Sequence, residues 1–238
     1  MFKRKDKDSW YSYRAILYRR ARIALKIGIT ILILLLSMVA FVSYIYQYSG
    51  TFVISSSNNE KGFISLCTNK EFYSPTTFLT AEPKNVWPVE YLDLDIEKVK
   101  NTDGISKEGN YFGYTFYLRN MGEVTVDVEV SVLQDGSVKN LGSCSRIMLI
   151  QENRVIGIFK LKDGFIDWQD KTPQNWLKEY TDKDIYKYTI ERIKPEEIIR
   201  FSVLIWIDGW DIDCTDDKKS GAVQYGINID IIDSYEEN

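Results

Sequence analysis

YFGYTFYLRNMGEVTVDVEVSV, residues 111–132, is the stretch on which the fold turns. In its second half Val124, Val126, Val128, Val130 and Val132 alternate with Glu123, Thr125, Asp127, Glu129 and Ser131. Successive side chains of a strand point to opposite faces, so a period of two carried by valine describes a strand with one buried face. On a helix the same valines would scatter around the circumference. The first half alternates in the same way, with Phe112, Tyr114, Phe116 and Leu118 on one side. Asn120, Met121 and Gly122 separate the halves, and the pair is read as a β-hairpin. A slip of one residue would turn every valine to water, so the pattern also fixes register.

Further segments repeat the pattern on either side. Leu92, Leu94 and Ile96 alternate with Asp93, Asp95 and Glu97. Residues 147–150 and 155–161 flank the polar turn 151–154 and are read as a second hairpin. Ile199, Phe201, Val203, Ile205 and Ile207 make one face of a strand, and Val223, Tyr225, Ile227, Ile229 and Ile231 one face of the last. Shorter candidates are 51–55, 62–67 and 185–193. About eight antiparallel strands, each with one buried face, predict a mainly β domain, an Ig-like β-sandwich. Residues 162–184, with Trp168, Pro173 and Trp176, break the pattern and are read as a long loop with a short helix.

Ahead of the strands lies IGITILILLLSMVAFVSYIY, residues 27–46, without a charge. At about 1.5 Å per residue this run spans roughly 30 Å, the thickness of a bilayer core, where only a helix satisfies its own backbone. Tyr44, Tyr46 and Tyr48 cluster at the far end, where aromatic rings favour the interface; Arg19, Arg20, Arg22 and Lys26 flank the near end. The positive-inside rule then puts the N-terminus in the cytoplasm. A cleaved signal would need small residues before the cut, but Met38 precedes Ala40 and Gln47 precedes Ser49 at that spacing, so the anchor is read as retained. The expected order is a basic cytoplasmic tail (1–25), a transmembrane helix (26–48), a spacer (49–61) and an extracellular domain (62–238) of a single-pass cell-membrane protein. The tail, with Trp10, Tyr11, Tyr13 and Tyr18 among its arginines, is read first as a topology signal and second as an interfacial helix on anionic lipid.

Charge divides along the same line. Residues 1–26 hold nine Lys/Arg against two Asp, net +7; the remainder holds 21 basic against 32 acidic residues, net −11. An acidic domain lacks the clustered cations that phosphate binding needs, so nucleic acid is excluded as a partner. The chain has no histidine. That removes HExxH zinc sites, the Ser-His-Asp triad and the Cys-His pair. No phosphate-binding glycine loop is present either, and no cofactor is expected. A Ser-Lys dyad or a carboxylate pair stays open as a hydrolase reading, with nothing to single out one pair.

Three cysteines, Cys67, Cys144 and Cys214, cannot all pair within one chain. One bridge plus a thiol, three buried thiols, or an intermolecular link are the alternatives. The segment DGWDIDCTDD, residues 208–217, gathers Asp208, Asp211, Asp213, Asp216 and Asp217 and is the one candidate for a metal, an irregular calcium loop. An EF-hand template begun at Asp211 fails, with Asp216 at the glycine position and Ala222 at the closing acid. The competing reading is a solvated acidic turn between two core strands. Trp168 and Trp176 are candidates for an interaction loop, set against the reading that they cover the end of the core.

Residues 111–132, together with RFSVLIWIDGWDIDCTDDKKSGAVQYGINIDI (200–231), resemble signatures of a group of Gram-positive single-pass membrane-anchored proteins of uncharacterised role, with a basic tail, one helix and a β-rich exterior. More distantly the exterior resembles the sandwich of camelysin-type and biofilm-fibre surface proteins. The resemblance implies a fold and a location, and neither a reaction nor binding residues. Camelysins carry a metalloprotease label, which a chain without histidine does not support. The expected function is therefore a non-catalytic surface or envelope protein whose partners are the lipid bilayer and other envelope or membrane proteins. The alternative is an accessory subunit of a membrane assembly of the secretion, conjugation or division type.

Overall fold

The computed structural model describes residues 5–47, 52–58, 62–82, 84–162, 170–181 and 183–236. The chain divides into two compact units, Met1–Gln47 and Tyr48–Asn238.

The first unit is one helix, α1 (Lys5–Gln47), of 43 residues. Within it Arg20–Ala40 is long and apolar enough to cross a membrane, with a mean hydropathy of 2.5. Apolar side chains are exposed all round this segment, from Ile23, Leu25 and Ile27 to Met38 and Val39, so no stripe marks a face for packing on a core. Its hydroxyls are satisfied locally: Thr30 Oγ1 donates to the Lys26 carbonyl (2.9 Å) and Ser37 Oγ to that of Leu34 (2.8 Å). The helix does not stop at the basic flank. It runs back through the tail to Lys5, giving roughly 65 Å in all, about twice the hydrocarbon thickness.

The second unit carries β1 (Phe52–Ser57), β2 (Ile64–Cys67), β3 (Phe78–Ala81), β4 (Pro88–Val89), the short helix α2 (Ile96–Lys100), β5 (Gly104–Ser106), β6 (Phe112–Asn120), β7 (Thr125–Val138), β8 (Ser145–Gln151), β9 (Arg154–Leu161), β10 (Leu177–Tyr180), β11 (Asp184–Ile193), β12 (Ile198–Asp208) and β13 (Ala222–Tyr235). The strands form two sheets. One runs β11-β7-β13-β1-β3, antiparallel except for the parallel pair β1–β13. The other runs β10-β9-β8-β12-β6-β2, with β5 beside β6 and β4 beside the end of β12. β1 falls within residues 49–61, the stretch read as a spacer, yet Phe52 and Ile54 are buried in the core.

Facing side chains of the two sheets make one core. The valine face of β7 lies in it with Tyr225, Ile227, Ile229 and Ile231 of β13, opposite Phe116, Ile147, Leu149, Phe201 and Val203. These faces are the ones the alternation predicts. The hairpin expected within 111–132 does not exist, however. β6 pairs with β12, β2 and β5, whereas β7 pairs with β11 and β13. The connection is an arch from sheet to sheet, because alternation reveals a buried face and not the neighbour along the ladder. Asn120 holds the arch: its amide donates to the carbonyls of Val124 (2.8 Å) and Ile193 (3.0 Å), and its Oδ1 accepts from Gly122 N (3.0 Å). The hairpin of β8 and β9 is present as predicted.

A second correction concerns the outer face of the larger sheet, which is covered as well. Met148, Ile150, Ile158, Leu204 and Trp206 point there and pack with Leu94, Val99 and Tyr111. The cover is residues 91–100, where the Leu92-Leu94-Ile96 alternation predicts a strand. The chain instead forms a 3₁₀ turn at Tyr91–Asp93 and then α2, because Asp95 caps the helix by accepting from Lys98 N (3.0 Å). α2 lies close over β6. Thr115 Oγ1 donates to the Val99 carbonyl (2.7 Å), and a Cβ added at Gly113 would stand 2.7 Å from Val99 Cγ2. Gly113→Ala is expected to push α2 outward at a cost of about 1–2 kcal/mol, read as a lowered urea midpoint. An unchanged midpoint would mean that α2 is not seated on β6.

Within the expected loop 162–184, Leu177–Tyr180 forms β10, parallel to β9. Trp176 is half-buried against the outer-face cluster. Trp168 lies outside the described residues, as does Tyr48.

Candidate functional site

The end of β12 and the start of β8 lie side by side, Ile207 opposite Ser145. β8 reads SRIMLIQ, an apolar strand interrupted at its second residue by Arg146, which is 1% exposed. A guanidinium cannot be neutralised by losing its proton, so burying one requires counter-charges. The acidic segment supplies them. Arg146 Nη2 donates to Asp211 Oδ2 and lies 3.6 Å from Asp208 Oδ2, while Nη1 donates to the Ser145 carbonyl (3.2 Å). Both carboxylates are anchored by the loop itself: Asp208 Oδ1 accepts from Trp210 N (3.0 Å), and Asp211 Oδ1 from Asp213 N (2.9 Å). Asp208 is 2% exposed and Asp211 7%.

This corrects both readings of the loop. The five aspartates do not converge on a cation. Two turn inward to an arginine, Asp216 pairs with Lys219 (2.9 Å), and Asp217 accepts from the Thr215 hydroxyl. Asp213 is half-buried, and among the described residues no group of three or more Asp, Glu or Cys stands close enough to hold a metal. Nor is the loop merely a solvated turn, since its first half neutralises the core.

Two acids against one base leave an excess negative charge in a desolvated place. Burial pushes the Asp208 carboxyl up to about 6, against the pull of Arg146. The unfolded chain releases that proton near pH 4, so between roughly pH 4 and 6 the native state binds more protons than the unfolded one. Stability therefore falls as pH rises through this window and levels off above it. The expected loss is on the order of 2 kcal/mol, and Asp208→Asn is expected to flatten the slope in urea midpoints taken at pH 4, 5, 6 and 7. An undiminished slope in the variant would assign the titration to another group.

A neutral network adjoins the charged one. Ser145 Oγ donates to the Gly142 carbonyl (3.1 Å) and bonds the Tyr225 hydroxyl, so Tyr225 is the donor to Ser145. The Tyr180 hydroxyl donates to Gln134 Oε1 (2.6 Å), tying β10 to β7. Beside them, Cys144 closes a 3₁₀ turn (Leu141–Cys144) and its thiol donates to the Leu141 carbonyl (3.6 Å), with Cys214 of the acidic loop as its neighbour. Cys144 is buried and Cys214 partly exposed. Interaction with the neighbouring Cys144 thiol holds the Cys214 thiol below its ordinary range, and Cys144 itself is pushed up. Cys67 is buried elsewhere, packed with Phe72 and Tyr117.

Exposed apolar side chains of the second unit are spread over it and include Tyr73, Trp87, Leu92 and Ile212 as well as Phe63, Phe78 and Met121. The Ser56 hydroxyl donates to the Ile64 carbonyl (3.2 Å), Ser56 N to that of Thr77 (2.9 Å), and Met121 N to that of Phe63 (2.8 Å). Those bonds place the backbones at Phe63, Phe78 and Met121 near one another, with side chains 46%, 53% and 38% exposed. The flanking cations Arg20, Arg22 and Lys26 are exposed on α1; Arg19, Tyr44 and Tyr46 occupy helical positions of it.

No protein-family model matches the chain, and no curated protein does. Two solved structures are similar over 73% of it: a β-glucosidase from Kluyveromyces marxianus, selenomethionine-labelled (13% identity), and the same enzyme in complex with glucose (12%). The chain spans only 16% and 15% of those two chains. With a TM-score of 0.23 in each case, the likeness carries no argument about fold or activity.

Proposed function

We propose that the chain is a single-pass membrane-anchored envelope protein whose acidic two-sheet domain faces outward and acts by contacting other envelope or membrane proteins rather than by catalysis. The observation that carries this reading is Arg20–Ala40, an apolar helical segment exposed on all sides and followed in sequence by a compact acidic domain. The net +7 over residues 1–26 and −11 over the remainder favour the N-in orientation. Phe63, Phe78 and Met121, exposed and on neighbouring stretches of backbone, are the contact surface we assign to the domain, since exposed apolar and aromatic groups mark binding surfaces. The finer class, an Ig-like sandwich, belongs to the same proposal. Two mostly antiparallel sheets around one core support it; the parallel pairs and the α2 cover are departures. Kinship with Gram-positive anchored proteins is likewise proposed, on residues 111–132 and 200–231.

One observation favours the accessory-subunit reading. α1 extends unbroken to Lys5, well past what a bilayer needs, so the tail continues the helix beyond the anchor. Cross-linking and pull-down of the full-length protein from native membranes tests the proposal, in parallel with a chain whose residues 1–48 are replaced by an unrelated N-in anchor. Envelope partners retained by both chains support contact through the domain. Partners lost with the native helix support the accessory subunit. A lone, monomeric protein in both would refute contact as the function.

A further inference from the structure

We propose that Cys144 and Cys214 are a disulfide-forming pair, with Cys214 the sulfur that meets the oxidant and Cys144 the one that closes the bridge. Three placements support this. Cys144 stands just before β8 and Cys214 in the loop just after β12, and β8 and β12 are ladder neighbours with Ser145 opposite Ile207. The two thiols are near enough to shift one another's ionisation, Cys144 upward and Cys214 downward. The loop that carries Cys214 is itself held in place, with Cys214 N donating to the Asp211 carbonyl (2.9 Å) and Asp211 bound to Arg146. Exposure is divided as the roles require, Cys214 partly accessible and Cys144 buried. The lowered range of the Cys214 thiol favours its thiolate, the attacking form.

The oxidant is a disulfide of a small molecule or of a thiol–disulfide oxidoreductase. The Cys214 thiolate attacks one sulfur of that disulfide, its S–S bond breaks, and the other sulfur leaves as a thiolate. Cys144 gives up its proton and attacks Cys214 in the mixed disulfide, expelling the second sulfur of the donor. Two protein thiols lose two protons and two electrons, and the donor disulfide becomes two thiols. The bridge would close about 70 residues of chain and fasten the acidic loop over Arg146. Cys67 is left as the unpaired thiol, which settles the odd count. Bridging in the cell rests on the outward placement proposed above, because oxidising conditions are extracytoplasmic; bridging in vitro does not.

The test uses the full-length protein in mild detergent, equilibrated in glutathione buffers from reducing to oxidising, then denatured and alkylated for mass analysis. The expected result is loss of two free thiols in one step, a peptide joining residues 144 and 214, and one thiol remaining at Cys67. Cys67→Ser should keep the bridge, whereas Cys144→Ser or Cys214→Ser should abolish it. Reduction should lower the melting temperature of the wild type by roughly 5–10 °C and leave the two serine variants unmoved. Three free thiols at every poise, or a bridge to Cys67, would overturn the proposal. A second arm alkylates thiols in intact cells after acid quenching. A bridge found in vitro but reduced in cells would uphold the pair and overturn the outward placement of the domain.

Discussion

Arg146→Ala is expected to lose on the order of 3–5 kcal/mol of domain stability, the largest effect of any single substitution considered for this chain. The reason is what stays behind. Asp208 and Asp211 are both nearly inaccessible to solvent, and without the guanidinium they face each other as uncompensated charges. Asp208, already raised by burial, would take up a proton more readily without the guanidinium, so the variant should be most damaged near neutral pH and partly recover in acid. Arg146→Met combined with Asp208→Asn and Asp211→Asn removes all three charges together and is expected to regain most of the loss, since a buried ion network often contributes little net stability over apolar or neutral replacements. Equilibrium urea unfolding of the detergent-solubilised protein, followed by tryptophan fluorescence, checks both statements. An Arg146→Ala midpoint equal to wild type would mean that the acidic loop does not close over β8.

The second large effect is expected at Asn120. One side chain holds three backbone groups of the arch: it donates to the carbonyls of Val124 and Ile193 and accepts from Gly122 N. Asn120 is fully buried, so its removal leaves those groups without partners in a place water does not reach. Asn120→Ala is expected to cost about 2–4 kcal/mol, at roughly 1–3 kcal/mol for each buried group stranded. Asn120→Asp is the sharper variant. It keeps the shape and the acceptor for Gly122 but turns a carboxylate toward two carbonyl oxygens, and it should be at least as damaging at pH 7 and milder at pH 4, where the carboxyl can donate. Were residues 111–132 a hairpin within one sheet, Asn120 would be an exposed turn residue and both substitutions would be nearly silent.

That contrast shows what the sequence carries and what it does not. The valines of β7 and the aliphatic faces of β12 and β13 are legible because alternation reports directly which side chains are buried. The partner of a strand is not legible in that way, and β6 and β7 look alike whether they share a ladder or face each other across the core. Leu92-Leu94-Ile96 misleads for a related reason: three apolar residues two apart also suit a 3₁₀ turn entering a short helix, and the cap at Asp95 decides between them. The charged cluster had a signal that alternation does not weigh. Arg146 sits at the head of the apolar run of β8, and such an arginine demands acids; residues 208–217 offered them some 60 positions away. The same acids, read by themselves, suggested calcium. The adjacency of Cys144 and Cys214 depends on the β8–β12 ladder and could not be read from three scattered cysteines.

The proposed role depends above all on α1 acting as an anchor with the domain outside. The most direct measurement is proteolysis of intact protoplasts expressing the protein with an epitope at each end. The expected result is loss of the C-terminal epitope from intact protoplasts while the N-terminal epitope remains protected until the membrane is opened, with the protein staying in the pellet after carbonate extraction. Protection of the C-terminal epitope in intact protoplasts, or release of the whole chain by carbonate, would contradict it.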